Sequence, residues 1–165
     1  MTPHEGAAPP PRPPLRVIVV DDSGIFREGL VSLLRAAGID VVEALASTDG
    51  LGAALLLRRP DAVVLDVRLP PTFTDEGVQA AVATRRSCPG CGILLLSTYA
   101  EASWMRRLTD RIPHGVGYLL KDRVADVDRL IEALDIVAAG GIAIDSAIVE
   151  GALSERSPQL TGLTE

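Results

Sequence analysis

The sequence predicts an α/β protein built on a doubly wound parallel sheet, and two observations support this prediction. Short apolar runs alternate five times with segments of helical periodicity. The runs lack the strict polar–apolar alternation of a half-exposed strand, which is typical of strands buried on both faces of a parallel sheet. Apolar residues make up 47% of the 165 residues, which is enough for a hydrophobic core, so a disordered chain is excluded.

Each predicted element follows from one of these patterns. The predicted strands are the apolar runs 15–20, 41–46, 62–65, 93–96 and 116–120. The predicted helices lie between and after them, at 26–37, 51–58, 76–86, 101–111 and 127–138. Gly38 and the pair Gly140-Gly141 follow the first and last helices, where glycine commonly ends a helix. Pro60 ends the second helix, because proline cannot continue one.

The two ends of the chain differ in composition from this repeat. Half of the 12 prolines lie in the first fourteen residues, so 1–14 is predicted to be a proline-rich disordered leader. Residues 15–141 form the predicted globular domain. Residues 142–165 are polar towards their end and are predicted to be a C-terminal helix and linker.

Charge and composition exclude several function classes. The formal net charge is -6, which argues against nucleic-acid binding by this chain, because phosphate contacts need clustered Lys and Arg. Two cysteines are too few for a disulfide framework and fit a reducing cytosol. No apolar run reaches the roughly 20 residues of a membrane span, and no signal-peptide core is present, so we expect a cytoplasmic protein without membrane contact.

Chemically informative side chains follow four of the five predicted strands. They are Asp21 and Asp22, Asp66, Ser97, and Lys121. Ligands of open α/β sheets bind outside the carboxyl ends of the strands, so these side chains are expected to converge. Three carboxylates repel one another unless a cation joins them, and Mg²⁺ suits such ligands. An aspartate beside a metal and a lysine can attack phosphorus and form an acyl phosphate.

These residues and their flanking motifs resemble the receiver domain of bacterial two-component response regulators over residues 15–141. The matching motifs are VVDDSGIFREGL, VVLDVRLPP, LSTYA and GYLLKD, and AAGG after the last helix. The motifs are most similar to the NarL/FixJ group. The resemblance implies a flavodoxin-like fold of five parallel strands in the order 2-1-3-4-5.

The resemblance also implies a role for each residue at the site. Asp66 would accept a phosphoryl group from a sensor histidine kinase. Asp22, Asp66 and the backbone carbonyl of Arg68 would ligate Mg²⁺ or Mn²⁺, and Asp21 would act through metal-bound water. Lys121 would pair first with Asp66 and then with the phosphoryl oxygen.

A second set of residues would convert phosphorylation into a signal. Ser97 would move towards the phosphoryl group, and Tyr118 would enter the space that Ser97 leaves. Arg68 and Tyr99 would shield the phosphoryl group from water and lengthen its lifetime. The resemblance implies a homodimer on activation.

Members of the NarL/FixJ group continue into a LuxR-type helix-turn-helix domain. Leu163-Thr164-Glu165 resembles the opening of that domain. We therefore expect the chain to stop at a domain boundary. DNA contact would come only through that C-terminal domain, which is absent from this chain. The resemblance thus implies a role in transcription regulation.

Two other functions remain as alternatives. The first is a pseudo-receiver that binds partners without phosphorylation, against which the full set of site residues argues. The second is a phosphatase of the haloacid-dehalogenase type, whose chemistry needs an Asp two residues after the nucleophile, where this chain has Arg68. Apart from self-phosphorylation and self-dephosphorylation, no enzymatic activity is expected. Nucleotide binding is excluded, since no glycine-rich phosphate loop follows a strand.

Two further features carry weaker signals. Cys88-Pro-Gly-Cys91 is a C-x-x-C motif, but it precedes a strand at the edge opposite the carboxylates. We interpret it as a solvent-facing turn rather than as a redox or zinc site. Trp104 and Met105 are expected either to pack in the core or to form an exposed dimer contact.

Overall fold

The structure is a computed structural model that describes residues 13–151 and 153. The strands are β1 (Arg16–Val20), β2 (Asp40–Leu45), β3 (Ala62–Asp66), β4 (Gly92–Ser97), β5 (Val116–Leu120) and β6 (Ile142–Ile144). The helices are α1 (Gly24–Ala36), α2 (Leu51–Arg58), α3 (Glu76–Ser87), α4 (Ala102–Arg111) and α5 (Val127–Ala138), with a 3₁₀ helix at Lys121–Ala125. A further helix, α6, begins at residue 146.

All neighbouring strands of the sheet are parallel, in the order β2-β1-β3-β4-β5-β6. The predicted α/β class and the order 2-1-3-4-5 are confirmed. The sheet has six strands instead of the predicted five, because Ile142–Ile144 pairs with Val116–Tyr118 of β5. The segment predicted as a helix and linker from residue 142 therefore begins with a strand. Its apolar run of three residues is too short to stand out in the sequence.

Two apolar layers hold the sheet. One layer packs α1 and α5 against it, with Leu30, Leu34, Leu130 and Leu134 fully or almost fully buried. The opposite layer contains residues of α2, α3 and α4. Every residue of β3 and β4 is buried, which explains why these strands read as continuous apolar runs.

Trp104 and Met105 are half-buried and pack against the second layer. This agrees with core packing, one of the two interpretations left open by the sequence. Leu108 and Ile112 follow in the sequence and are almost completely buried in the same layer. The sheet-facing side of α4 is thus anchored, although most of its other residues are exposed or half-buried.

Helix α3 lies directly against the end of β3. A Cβ atom added at Gly77 would lie 2.0 Å from the carbonyl oxygen of Asp66 and 2.6 Å from the Cα of Val67. Both neighbours are backbone atoms and have little freedom to move. Gly77 therefore permits the close approach of α3 that fixes the position of Asp66.

Parts of the predicted ends lie outside the described residues. They include residues 1–12 of the leader and residues 154–165 with the Leu163-Thr164-Glu165 motif. Within the described part of the chain, no helix has the length and apolar character needed to cross a membrane.

The Gly77→Ala substitution is expected to lower the free energy of unfolding by about 2 kcal/mol, because the added methyl group overlaps the backbone of β3. Chemical denaturation measures this change. Gly29→Ala is the control: Gly29 lies in α1 with no atom within 4 Å of an added Cβ, so this variant should gain about 0.5–1 kcal/mol. Equal effects of the two substitutions would contradict the close approach.

Candidate functional site

Three carboxylates meet at the carboxyl edge of the sheet, as the sequence predicts. Asp21 follows β1, and Asp66 ends β3. One oxygen atom from each of Asp21, Asp22 and Asp66 lies within 4.8 Å of the others. Asp21 and Asp66 are buried and Asp22 is exposed, so the cluster opens to solvent on the side of Asp22.

Lys121 brings the positive charge to this cluster from the end of β5. Its Nζ lies 2.9 Å from Oδ2 of Asp21 and 3.2 Å from Oδ2 of Asp66. The ammonium also lies 4.4 Å from the centroid of the Phe26 ring, within the range of a cation–π contact. Burial by itself would lower the pKa of Lys121, but the contacts with Asp21 and Asp66 outweigh it and raise the pKa. Lys121 is therefore a fixed cation at neutral pH.

Hydrogen bonds fix the orientation of the Asp66 carboxylate. Lys121 Nζ donates to Oδ2 at 3.2 Å, and the backbone N–H of Arg68 donates to Oδ1 at 3.3 Å. Burial, together with the negative charge of Asp21, raises the pKa of Asp66 to about 6, although Lys121 acts in the opposite direction. The carboxylate is thus held ionised at neutral pH under electrostatic strain that a bound cation relieves.

The residues after β1 fold tightly around Asp21. Oδ1 of Asp21 accepts a hydrogen bond from the backbone N–H of Ser23 at 2.9 Å. Ser23 caps α1 by accepting from the N–H of Phe26, which also places Phe26 near Lys121. Nη1 of Arg27 donates to the carbonyl oxygen of Asp21 at 2.7 Å. The start of α1 therefore holds the acidic pair at the sheet edge.

The donor set fits a hard divalent cation. It consists of carboxylate oxygens, which Mg²⁺ prefers. Within the described structure, Oδ2 of Asp21 is buried and makes an ion pair with Lys121 but no hydrogen bond of good angular geometry. An oxygen in this condition can accept a hydrogen bond from a metal-bound water without losing another hydrogen bond.

Ser97 is held by the β4–α4 loop, and Tyr118 lies in the core. Ser97 Oγ donates to the carbonyl oxygen of Tyr99 at 2.8 Å and accepts from the Tyr99 N–H at 3.3 Å. The Tyr118 side chain is completely buried, and burial raises the pKa of its hydroxyl to about 12. The Tyr118 ring is thus inside the protein while Ser97 faces the β4–α4 loop, and the response of both residues to phosphorylation stays a prediction.

The Arg68 side chain contacts Tyr99 and also has a second partner. The guanidinium lies 5.7 Å from the centroid of the Tyr99 ring and forms an ion pair with Glu101. The other carboxylate oxygen of Glu101 accepts a hydrogen bond from Nε1 of Trp104. Glu101 thus connects Arg68 with α4.

The cysteine pair differs from its prediction as a solvent-facing turn. A turn is present, since the N–H of Cys91 donates to the carbonyl of Cys88 at 3.0 Å. Cys88 is half-buried, but Cys91 is 1% exposed and belongs to the core. Burial raises the pKa of the Cys91 thiol to about 12. Nη2 of Arg85 donates to the Cys91 carbonyl and holds this turn against the sheet.

Two acidic residues escaped the sequence analysis. Asp145 is fully buried directly after β6, and the strand-end signal used for Asp66 would have found it had the run 142–144 been recognised as a strand. Glu101 stands at the N-terminal cap position of α4. Its two partners come from different loops and helices, and no sequence signal indicated them.

A parallel α/β sheet with an acidic cluster and a lysine at its carboxyl edge defines a class of phosphoryl-transfer and signalling domains. Comparison with family models makes this specific: residues 17–135 match the response regulator receiver domain. The chain belongs to this family.

Curated relatives place the chain among transcriptional regulators. It is 30% identical over 155 residues to the transcriptional regulatory protein LnrK of Bacillus subtilis, covering 92% of this chain and 67% of the relative. It is 33% identical over 160 residues to the DNA-binding transcriptional activator DevR/DosR of Mycobacterium tuberculosis, covering 92% and 70%. For a DegU protein of Brevibacillus brevis, the identity is 31% over 144 residues, covering 86% of this chain and 57% of the relative. The chain thus spans roughly two thirds of these relatives.

Solved structures agree. A LuxR-family two-component response regulator from Aurantimonas superposes with a TM-score of 0.73 at 26% identity, covering 87% of this chain and 99% of that one. The receiver domain of NarL from Mycobacterium tuberculosis gives 0.61 at 28% identity, covering 74% and 97%. The predicted receiver family and its NarL/LuxR-type relatives are confirmed.

The raised pKa of Asp66 predicts a pH-dependent stability. With a folded-state pKa of about 6 against an ordinary value of 3.8, folding binds a proton, so this contribution to stability is complete below about pH 4 and is lost as pH rises through 6. Asp66→Asn, uncharged throughout, should therefore exceed the original chain in unfolding free energy by about 2 kcal/mol at pH 7 in EDTA.

The difference should shrink towards pH 4, as measured by urea denaturation across this range. Asp40→Asn removes an exposed carboxylate elsewhere on the sheet and should show no such trend. Parallel pH profiles for the original chain and the Asp66→Asn variant would contradict the strained carboxylate.

Proposed function

We propose that this chain is a phosphorylation-controlled switch in which Asp66 accepts a phosphoryl group from a phosphohistidine on a sensor histidine kinase. The observation that carries this proposal is the buried Asp66 carboxylate, held by Lys121 beside two further carboxylates. Nucleophile, fixed cation and metal ligands are the groups that phosphoryl transfer needs at one place.

The chain's own residues prepare the transfer. An Asp66 oxygen forms the bond to phosphorus as the bond from phosphorus to the histidine nitrogen breaks. Lys121 pairs with Asp66 before transfer and with a phosphoryl oxygen afterwards, so its charge stays paired throughout. Asp22, Asp66 and the Arg68 carbonyl would hold Mg²⁺ or Mn²⁺, with Asp21 acting through water. The bound ion supplies neutralisation of charge on the phosphoryl oxygens.

The response to phosphorylation starts at Ser97. The phosphoryl group adds roughly -1.5 to -2 charges and three acceptor oxygens. Ser97 Oγ can leave the Tyr99 carbonyl and donate to one of these oxygens, which displaces the β4–α4 loop. Tyr118, whose ring is buried in this structure, would pack into the space that Ser97 leaves, so phosphorylation would favour the inward ring. The result would be a population shift towards a homodimer and altered output of a DNA-binding domain.

Intact mass spectrometry after incubation with acetyl phosphate and Mg²⁺ tests the proposal. We expect one added phosphoryl group, which EDTA prevents, because the carboxylate cluster needs a cation to admit an anion. Asp66→Asn should abolish the addition, and Asp61→Asn, at the opposite end of β3, should not. Absence of the phosphoryl group from the original chain would favour a phosphorylation-independent module, and its persistence in Asp66→Asn would contradict the assignment of Asp66 as the acceptor.

Arg68 and Tyr99 are proposed to lengthen the lifetime of the phosphoryl group, since Arg68 lies two residues after Asp66 and its guanidinium contacts the Tyr99 ring. Replacing both with alanine should speed dephosphorylation several-fold, as followed by loss of the added mass over time. Arg107→Ala removes a similar surface arginine that pairs with Asp75 at 3.0 Å and is the control. An unchanged rate in the double variant would exclude the shielding role.

A further inference from the structure

Asp145 is a fully buried carboxylate that the phosphorylation chemistry does not use. Its Oδ2 lies 3.3 Å from Nε of Arg123 and accepts from the N–H of Leu120 at 3.4 Å. Its Oδ1 accepts from the N–H of Ala147 at 3.0 Å. A buried charge is tolerated only with partners of this kind. Asp145 therefore depends on both the end of β5 and the start of α6.

The contacts of Asp145 reach β5, the strand that carries Tyr118. Its backbone N–H donates to the carbonyl oxygen of Tyr118 at 2.8 Å. Leu120, which donates to the side chain of Asp145, directly precedes Lys121. A displacement at either of these β5 residues therefore acts directly on the geometry of Asp145.

Asp145 caps the start of helix α6, and this helix packs on the α4 side of the sheet. The N–H groups of Ile148 and Val149 donate to the carbonyl oxygen of Asp145 at 3.0 and 3.2 Å. Ile148 is 0% exposed and belongs to the same buried cluster as Tyr118, Leu108 and Ile112 of the β5–α4 region. Docking of α6 therefore completes the layer in which the Tyr118 ring lies.

The same helix also reaches the loop that Ser97 controls. A Cβ added at Gly151 would lie 3.8 Å from the carbonyl oxygen of Ala100. Ala100 lies between Tyr99, which holds Ser97, and Glu101, which holds Arg68. Residues 142–151, which we name the strap, thus touch both parts of the molecule that respond to a charge at Asp66.

We propose that the strap is a built-in reader of the switch: its docking, latched by Asp145, holds Tyr118 inside and is strengthened when Asp66 is phosphorylated. The proposal rests on the proposed function, in which phosphorylation favours the inward Tyr118. An outward ring would disturb the layer that Ile148 completes, so docking and phosphorylation favour the same arrangement. Since coupling between two equilibria is reciprocal, a docked strap also increases the affinity of the site for a phosphoryl-like ligand.

Hydrogen exchange on the full chain tests the first half of this coupling. The amides of Ile148 and Val149 report strap docking, because both donate to Asp145. Addition of beryllium fluoride with Mg²⁺, a phosphoryl mimic, should slow their exchange about 5-fold or more, and the mimic should have no effect in Asp66→Asn. Unchanged or faster exchange while the mimic binds would overturn the strap proposal alone. Failure of the mimic to bind would overturn the proposed function and the strap proposal with it.

Affinity measurements test the reciprocal half. Ile148→Ala weakens docking by removing a buried side chain and should weaken beryllium fluoride binding by a factor similar to that seen in exchange. Val149→Ala, one residue further and 40% exposed, should leave the affinity unchanged. Trp104 lies in α4 and is the only tryptophan of the chain. Its fluorescence reports the binding of beryllium fluoride during the titration.

Asp145→Asn provides a second variant that keeps the size of the side chain and one of its two acceptor oxygens but loses the charge facing Arg123. We expect weaker binding of the mimic here as well, with the rest of the fold preserved by circular dichroism. Equal affinity in Ile148→Ala, Asp145→Asn and the original chain would overturn the coupling.

Discussion

The ion pairs of Lys121 with Asp21 and Asp66 are the interaction on which the rest of the site depends. Carboxylates from three residues lie within 4.8 Å of one another, and only Lys121 offsets their repulsion at contact distance within the described residues. The balance is incomplete, because the pKa of Asp66 remains raised to about 6. A divalent cation would offset the remaining repulsion, so the cluster fits such an ion.

The buried parallel sheet holds this cluster of charged side chains in place. Strands β1, β3 and β5 bring their carboxyl ends to one edge, and their apolar residues anchor each end from two layers. The backbone of α3 approaches β3 at Gly77 so closely that Asp66 has little room to shift. A strained charge cluster persists only where the surrounding structure determines its geometry in this way.

Position along the strands explains what the sequence predicted well. Asp21, Asp66 and Lys121 were found because a residue directly after a buried strand has one possible edge to occupy. The burial of the Tyr118 ring and of Cys91 depends on packing between distant segments, which a local sequence pattern does not encode. Asp145 was missed because β6 has only three residues. So short a strand is stabilised by its pairing with β5, which the local sequence does not show.

The contacts beyond the site show how a small change of charge can be read at a distance. Ser97 and Arg68 are each held by the β4–α4 loop, through Tyr99 and Glu101. In the proposed function, a phosphoryl group on Asp66 would compete for both side chains at once, whereas the unmodified site leaves both with the loop. Two arrangements of the same loop then differ by the partners of two side chains, which is the discrete alternative that a switch requires.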